Sequence, residues 1–242
     1  MFETKIYDIK GKNEFIPFIQ EIFKKKYDFN ESLCSLHKVI DKIPLENQKS
    51  YTHIGILGKD DRVCPFIKEF HLAVDATNEF ERIYHEFIRE NILPLVDSDM
   101  DTIVIQKTPN IRFSFPHYAA IGHNPNIDQD QIVGYHKDAD FGHHPTEQNI
   151  IVPITDMFGT NSVYYETDIE SKEFRNLTMG RHQFFHGYLN QLHHYNMFNQ
   201  TDCTRISFDL RVIPYDKYLE NWNDFKGTKF ELGKYYIVLG RK

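Results

Sequence analysis

The chain is short of cysteine, has no long apolar run and carries no basic excess, and each shortage removes a class of function. Cys34, Cys64 and Cys203 are three among 242 residues, odd in number and without metal-ligand spacing. Neither a disulfide framework nor a cysteine zinc site is therefore expected, and a reducing cytoplasm fits. No stretch approaches the roughly 20 apolar residues that cross a bilayer. The beginning, Met1-Phe2-Glu3-Thr4-Lys5, lacks the basic region and apolar segment of an export signal, so no membrane partner is expected. With 28 Lys and Arg against 35 Asp and Glu, the formal charge of -7 argues against a phosphate-backbone footprint, and nucleic acid is not an expected partner. There is no internal repeat and no low-complexity linker, and the length suits one sizeable core, so residues 1–242 read as a single domain.

What is present changes period along the chain. Phe15, Phe18, Ile19, Ile22 and Phe23 recur at helical spacing, as do Phe80, Ile83, Phe87 and Ile88, so residues 1–100 read as a mainly helical support region. Residues 51–75 are mixed and read as loops with at most a short strand. From Thr102 the pattern shortens: Ile103-Val104-Ile105, Ile111 to Phe115, Ile132 to Tyr135, Asn149 to Ile154, Ser162 to Glu166 and Thr204 to Ile213 are brief runs bounded by Pro, Gly, Asn and Asp. Such strands over 101–214 predict a mainly β core with flanking α, a sandwich or a jelly roll. Residues 215–242 are aromatic, with Trp222, Phe225, Phe230, Tyr235 and Tyr236, and are expected to pack back on the core.

Within the strand region stands His136-Lys137-Asp138, followed by His194 and then, after ten intervening residues, Arg205-Ile206-Ser207. Two imidazoles and one carboxylate in this arrangement suit a facial triad, which leaves three positions of an octahedral iron open. Residues two apart on a strand share a face, so HxD aims both ligands the same way, and Arg205 and Ser207 likewise share a face of their strand. A guanidinium there offers a two-pronged donor to a carboxylate.

The ordered set of HxD, distal His and RxS resembles the Fe(II)/2-oxoglutarate-dependent oxygenases. Tyr135, Phe141-Gly142-His143, Glu147, Asn149, Pro153-Ile154-Thr155, Gly159-Thr160-Asn161, Glu166, Asn199, Thr201 and Ser207-Phe208-Asp209-Leu210-Arg211 narrow it to the StrG-type branch, tied to tailoring of aminoglycosides and other small metabolites. The likeness covers roughly residues 108–214. It implies that the core is a double-stranded β-helix, a cupin-like jelly roll, that His136, Asp138 and His194 ligate Fe(II), that Arg205 and Ser207 hold 2-oxoglutarate, and that O2 is the second cosubstrate. Arg112, Tyr135, His143, Glu147, Asn149 and Asn161 are the candidate pocket groups.

Each assignment has a plainer competitor. His193 adjoins His194, and His182 and His186 lie upstream; the interval to Arg205 and the intervening Asn199 favour His194. His143 and His144 suit hydrogen bonding around the centre or a substrate wall better than ligation, because a catalytic metal needs vacancies. Arg112 is a second anion clamp or an ordinary exposed strand residue, and Glu147 a pocket acid or an edge-strand charge. Tyr135, Tyr164 and Tyr165 line the pocket or pack the core. Asp209 and Arg211 continue the alternation of the last strand and suit a structural ion pair.

The resemblance implies oxidation, by default hydroxylation, of a small polar metabolite such as a sugar, nucleotide sugar, aminocyclitol or amino acid. A homodimer is an open alternative to a monomer. Three rivals differ in their residues. A non-oxygenase cupin, either a sugar epimerase or isomerase or a binding module, usually presents HxH and has no use for RxS. A zinc hydrolase needs a base beside three ligands, for which Glu147 would be offered, and leaves Arg205 unexplained. An inactive interaction protein would be expected to have lost a ligand.

Overall fold

Two hydrophobic periods, one of helices and one of strands, meet on the two sides of a single sheet. The computed structural model describes residues 4–42, 65–96, 101–116 and 133–241. Helix α1 (Phe15–Tyr27) buries Phe15, Ile19 and Phe23, a stripe at every fourth residue, and stops at Asp28, whose left-handed backbone lets its N–H reach the Phe23 carbonyl. Lys24, Lys25 and Lys26 occupy its last turn, where the helix dipole favours cations. A 3-10 run spans Leu33–Lys42. Helix α2 (Pro65–Ala76) then corrects the reading of residues 51–75 as loops with a short strand. Its Pro65 sits at the first position, where the missing N–H costs nothing, and Phe66, Ile67 and Phe70 form the buried stripe. Residues 51–64 of that stretch lie outside the described residues. Helix α3 (Glu79–Phe87) buries Phe80, Ile83, Tyr84 and Phe87 and continues through a π turn at Ile88–Ile92.

Eleven strands follow from the described residues: β1 (Lys5–Asp8), β2 (Thr102–Gln106), β3 (Asn110–Ser114), β4 (Val133–His136), β5 (Gln148–Pro153), β6 (Val163–Glu166), β7 (Phe174–Asn176), β8 (Gln183–Gly187), β9 (His194–Asn196), β10 (Arg205–Pro214) and β11 (Tyr236–Gly240). They form a large sheet in the order β1-β8-β5-β10-β2-β11, with β3 also on β10, and a small sheet in the order β4-β9-β6-β7; every pairing is antiparallel. Two facing antiparallel sheets with helices on one flank make the expected jelly roll. Strand β1 is an exception to the helical reading of the N-terminal region: it completes the large sheet against β8.

Long strand β10 organises the molecule. It pairs with β5 along one edge, and along the other with β3 through its first half and β2 through its last residues. Ile206, Phe208, Leu210 and Val212 point to the helices and join one apolar cluster with Phe15, Phe23, Phe70, Phe80 and Phe87. A second cluster, containing Ile151, Tyr165, Leu177, Phe185 and Leu189, fills one part of the space between the sheets. A third joins Val104 and Ile213 to Tyr218, Phe225, Phe230 and Tyr236 of the C-terminal segment. Helices α4 (Tyr215–Glu220) and α5 (Trp222–Phe225) lead into β11, which extends the sheet beyond β2.

The cysteine expectation is corrected. Cys34 and Cys203 form a disulfide between the 3-10 run and the residues just before β10, with Cα atoms 4.7 Å apart. Sequence spacing could not reveal a pair 169 residues apart, and the argument from cysteine for a reducing compartment lapses. Cys64 lies outside the described residues. No helix among the described residues is long and apolar enough to cross a membrane.

Candidate metal centre

The space between the sheets that the apolar cluster leaves unfilled is a pocket of about 260 Å³, walled by β3, β4, β5, β9 and β10. Its polar side chains begin with the two histidines. Strand β4 pairs with β9 in an irregular register between Val133 and His136, and Gly134 at φ +66° makes the kink that few other residues tolerate. His136 then lies directly across from His194. Their rings are 4.3 Å apart between centroids.

Backbone carbonyls fix both rings. His136 Nδ1 bonds to the Gly134 carbonyl, and His194 Nδ1 bonds to the Leu192 carbonyl at 3.1 Å. A carbonyl only accepts, so each Nδ1 carries the proton and each Nε2 presents its lone pair to the pocket. Asp138 follows β4 on a short 3-10 turn, Asp138–Phe141, that Gly142 closes in a left-handed conformation. Its N–H bonds to the Leu189 carbonyl at 3.3 Å, and the next N–H, of Ala139, bonds to the Asn190 carbonyl at 3.1 Å. The Asp138 carboxylate places Oδ1 at 3.6 Å from His136 Nε2 and 3.7 Å from His194 Nε2. The three donor atoms lie within 4.8 Å of one another, and this is the metal-competent cluster among the described residues.

The electrostatics suit a cation. Burial pushes the Asp138 carboxyl up, but Arg211, through its charge and its hydrogen bond, and the two facing histidines outweigh it and hold the group well below the usual carboxylate range. Burial likewise lowers His194, against the pull of Asp138, whereas for His136 the Asp138 and Gly134 bonds overcome burial and raise it. A buried carboxylate held low beside two imidazoles whose Nε2 atoms face it is a ready ligand set.

Arg205 and Ser207 lie on the pocket face of β10. Arg205 is buried, and its Nη1 donates to Asn196 Oδ1 at 2.9 Å, while its Nε has no hydrogen-bond partner among the described residues. Among the described residues no carboxylate pairs with it; burial and the Arg112 charge pull its pKa down to about 10. A buried guanidinium left without an anion costs several kcal/mol, on the order of the penalty for any uncompensated internal charge. It therefore marks where an anionic group belongs.

The other anticipated residues divide. Arg112 and Asn149 line the pocket; Arg112 is partly exposed at 3.5 Å from Asp209, and Asn149 bonds to Asp138. Tyr135 does not: one residue before His136, it points to the opposite face of the small sheet, half exposed and stacked 4.7 Å from the His193 ring. His143 and Glu147 are brought to each other, Nδ1 to Oε2 at 2.6 Å, beside Phe230 and outside the pocket lining. Glu147 is fully buried, so it is neither an edge-strand charge nor a base at the metal. Asn161 accepts the Phe158 N–H through Oδ1 at 2.9 Å and closes a loop. His193 bonds to Glu166 at 3.0 Å, away from the cluster. Phe141 and Asn196 line the pocket without having been anticipated, and Asp209 and Arg211 do so beyond the structural ion pair foreseen for them. The alternation Arg205, Ser207, Asp209, Arg211 was the signal for the last two.

No family model matches the chain. Over 180 residues it is 28% identical to the streptomycin biosynthesis protein StrG of Streptomyces griseus, covering 73% of this chain and 77% of that protein. This homology agrees with the StrG-type resemblance of the motif string. Among solved structures, the nickel complex of the non-heme monooxygenase ThoJ superposes with a TM-score of 0.43 at 16% identity, covering 81% of this chain and 77% of that one. The non-heme alpha-ketoglutarate-dependent carbocyclase SnoK from nogalamycin biosynthesis gives 0.38 at 10% identity, covering 57% and 62%. At these scores neither structure bears on the chemistry of this pocket.

Proposed function

We propose that the protein is an Fe(II)- and 2-oxoglutarate-dependent oxygenase that hydroxylates a small polar metabolite. The observation that carries this reading is the pairing, in one pocket, of a His-Asp-His cluster with a buried guanidinium that no described carboxylate pairs. A zinc hydrolase leaves that guanidinium without a task, and a cupin epimerase does not need it.

In this reading His136 and His194 bind iron through Nε2, and Asp138 through Oδ1. Arg205 receives the distal carboxylate of 2-oxoglutarate with a forked, charge-assisted contact, and Ser207 adds a hydroxyl donor on the same strand face. Iron with 2-oxoglutarate and O2 supplies an oxidant able to take hydrogen from an unactivated C–H bond, with succinate and carbon dioxide as coproducts. The protein's own contribution is positional. Phe141, largely exposed and in edge contact with His136, and Arg112 at the mouth are suited to hold the substrate over the cluster. The name of StrG supports choosing aminocyclitols, sugars, nucleotide sugars and amino acids as the first compounds to test.

The test is an anaerobic titration of the Fe(II)-loaded protein with 2-oxoglutarate, followed by succinate release on admitting oxygen. A weak visible charge-transfer band and oxygen-dependent succinate are expected, and absence of both overturns the proposal. Lysine cannot reproduce the guanidinium fork, so Arg205→Lys is expected to raise the KM for 2-oxoglutarate by about one to two orders of magnitude at nearly constant iron affinity. Normal 2-oxoglutarate binding with lost turnover in that variant would make Arg205 a substrate clamp instead.

A further inference from the structure

The two oxygens of Asp138 have separate surroundings. Oδ1 faces the histidine Nε2 atoms, whereas Oδ2 accepts Arg211 Nη2 at 2.6 Å and Asn149 Nδ2 at 2.7 Å. Arg211 and Asn149 are directly opposite each other on β10 and β5, so two adjacent strands present both donors to the same oxygen. Each donor is held in turn. Arg211 Nη1 bonds to Asp209 Oδ2 at 3.1 Å, and the Asn149 amide is oriented by the Asn190 N–H, which donates to its Oδ1 at 3.0 Å. Because that backbone N–H requires an acceptor, the amide cannot be turned round, and its NH2 must face Asp138. Asn149, Asp138 and Arg211 are all buried, so water does not compete for these bonds.

We infer that Arg211 and Asn149 are positioning residues that hold Asp138 as a one-oxygen ligand. A carboxylate free to turn about its last bond can take a cation with both oxygens and thereby fill a second position. Here the second oxygen is claimed on two sides before any cation arrives, and turning it inward would break a charge-assisted bond and leave the Arg211 guanidinium with Asp209 as its one carboxylate partner among the described residues. The vacancies of the centre are thus kept by the partners of its carboxylate. This rests on the metal-binding reading proposed above and extends it from the ligands to the residues behind them.

The test uses Mn(II) alone as probe, with the full chain, reading affinity by titration and bound water by proton relaxation. If the wild-type protein binds no Mn(II), Co(II) or Fe(II), the metal-centre reading itself falls. Given wild-type binding, Arg211→Lys, which keeps the charge but loses the fork, and Asn149→Ala, which leaves the ion pair intact, are each expected to weaken Mn(II) binding about 10- to 100-fold. Relaxivity per bound Mn(II) is expected to fall by roughly a third, because a two-oxygen carboxylate takes one of the three positions left to water. Unchanged relaxivity in a variant whose melting shows it folded overturns the inference, whatever happens to affinity. Should Arg211→Lys fail to fold, Asn149→Ala decides alone.

Discussion

The two faces of β10 are equally buried and chemically opposite. Toward the helices it presents Ile206, Phe208, Leu210 and Val212, and toward the small sheet Arg205, Ser207, Asp209 and Arg211, of which only Asp209 is more than marginally accessible. The apolar face needs nothing but contact: Phe208 alone meets the rings of Phe15, Phe70 and Phe80 at centroid distances of 5.1, 5.4 and 5.6 Å. On the polar face each group requires a specific partner, and a group that lacks one points to something missing. Arg211 meets two aspartates, whereas Arg205 among the described residues meets a lone amide oxygen, and the different roles proposed for the two rest on that difference.

The contrast can be broken from either side. The largest effect belongs to the pocket side: His194→Ala is expected to abolish Fe(II) binding, measured by calorimetric titration, while His193→Ala retains most of it because His193 bonds to Glu166 away from the cluster. Loss of iron in the His193 variant alone would reverse the assignment. On the helix side, Phe208→Ala should cost about 3–5 kcal/mol of stability in denaturant melts, through lost transfer energy and a cavity. Its metal affinity should stay unchanged in native protein; a matched loss of affinity would mean the two faces are not separable. The smallest effect probes a polar group at the margin of the helix-facing side. Burial lowers His186 from its ordinary 6.5 to about 4, and its Nε2 meets Gln148 Oε1 at 2.6 Å. The unfolded chain therefore takes up a proton that the folded one refuses, so stability is fully present above about pH 6.5 and declines as the pH falls toward about 4. His186→Gln should flatten the melting temperature across that window, and an unaltered profile would show that another group causes the decline.

The candidate set was legible in the sequence because chemistry and interval coincide, and His136, Asp138, His194 and Arg205 line one pocket. The alternation of β10 was equally readable, since a strand's period is two. Tyr135 was misjudged through its neighbourhood to His136, although the same alternation sends it to the other face. Glu147 and His143 are four apart and bind each other, a local satisfaction that sequence alone does not distinguish from a pocket acid with a pocket base. Helix α2 was hidden because it fills only the second half of the mixed stretch of residues 51–75, from Pro65 onward, and its apolar stripe of Phe66, Ile67 and Phe70 is short. The Gly134 kink and the Cys34–Cys203 pairing depend on contacts distant in the chain, which no local pattern encodes.

That pairing has a topological consequence. The disulfide closes a covalent ring from residue 34 to residue 203, which encloses every strand from β2 to β9 and all three candidate ligands, while Arg205 stands two residues beyond the closure. A protease that cuts the backbone once anywhere inside the ring leaves one covalently continuous molecule, its ligands and its anion-seeking arginine still on the same thread until a reductant opens it.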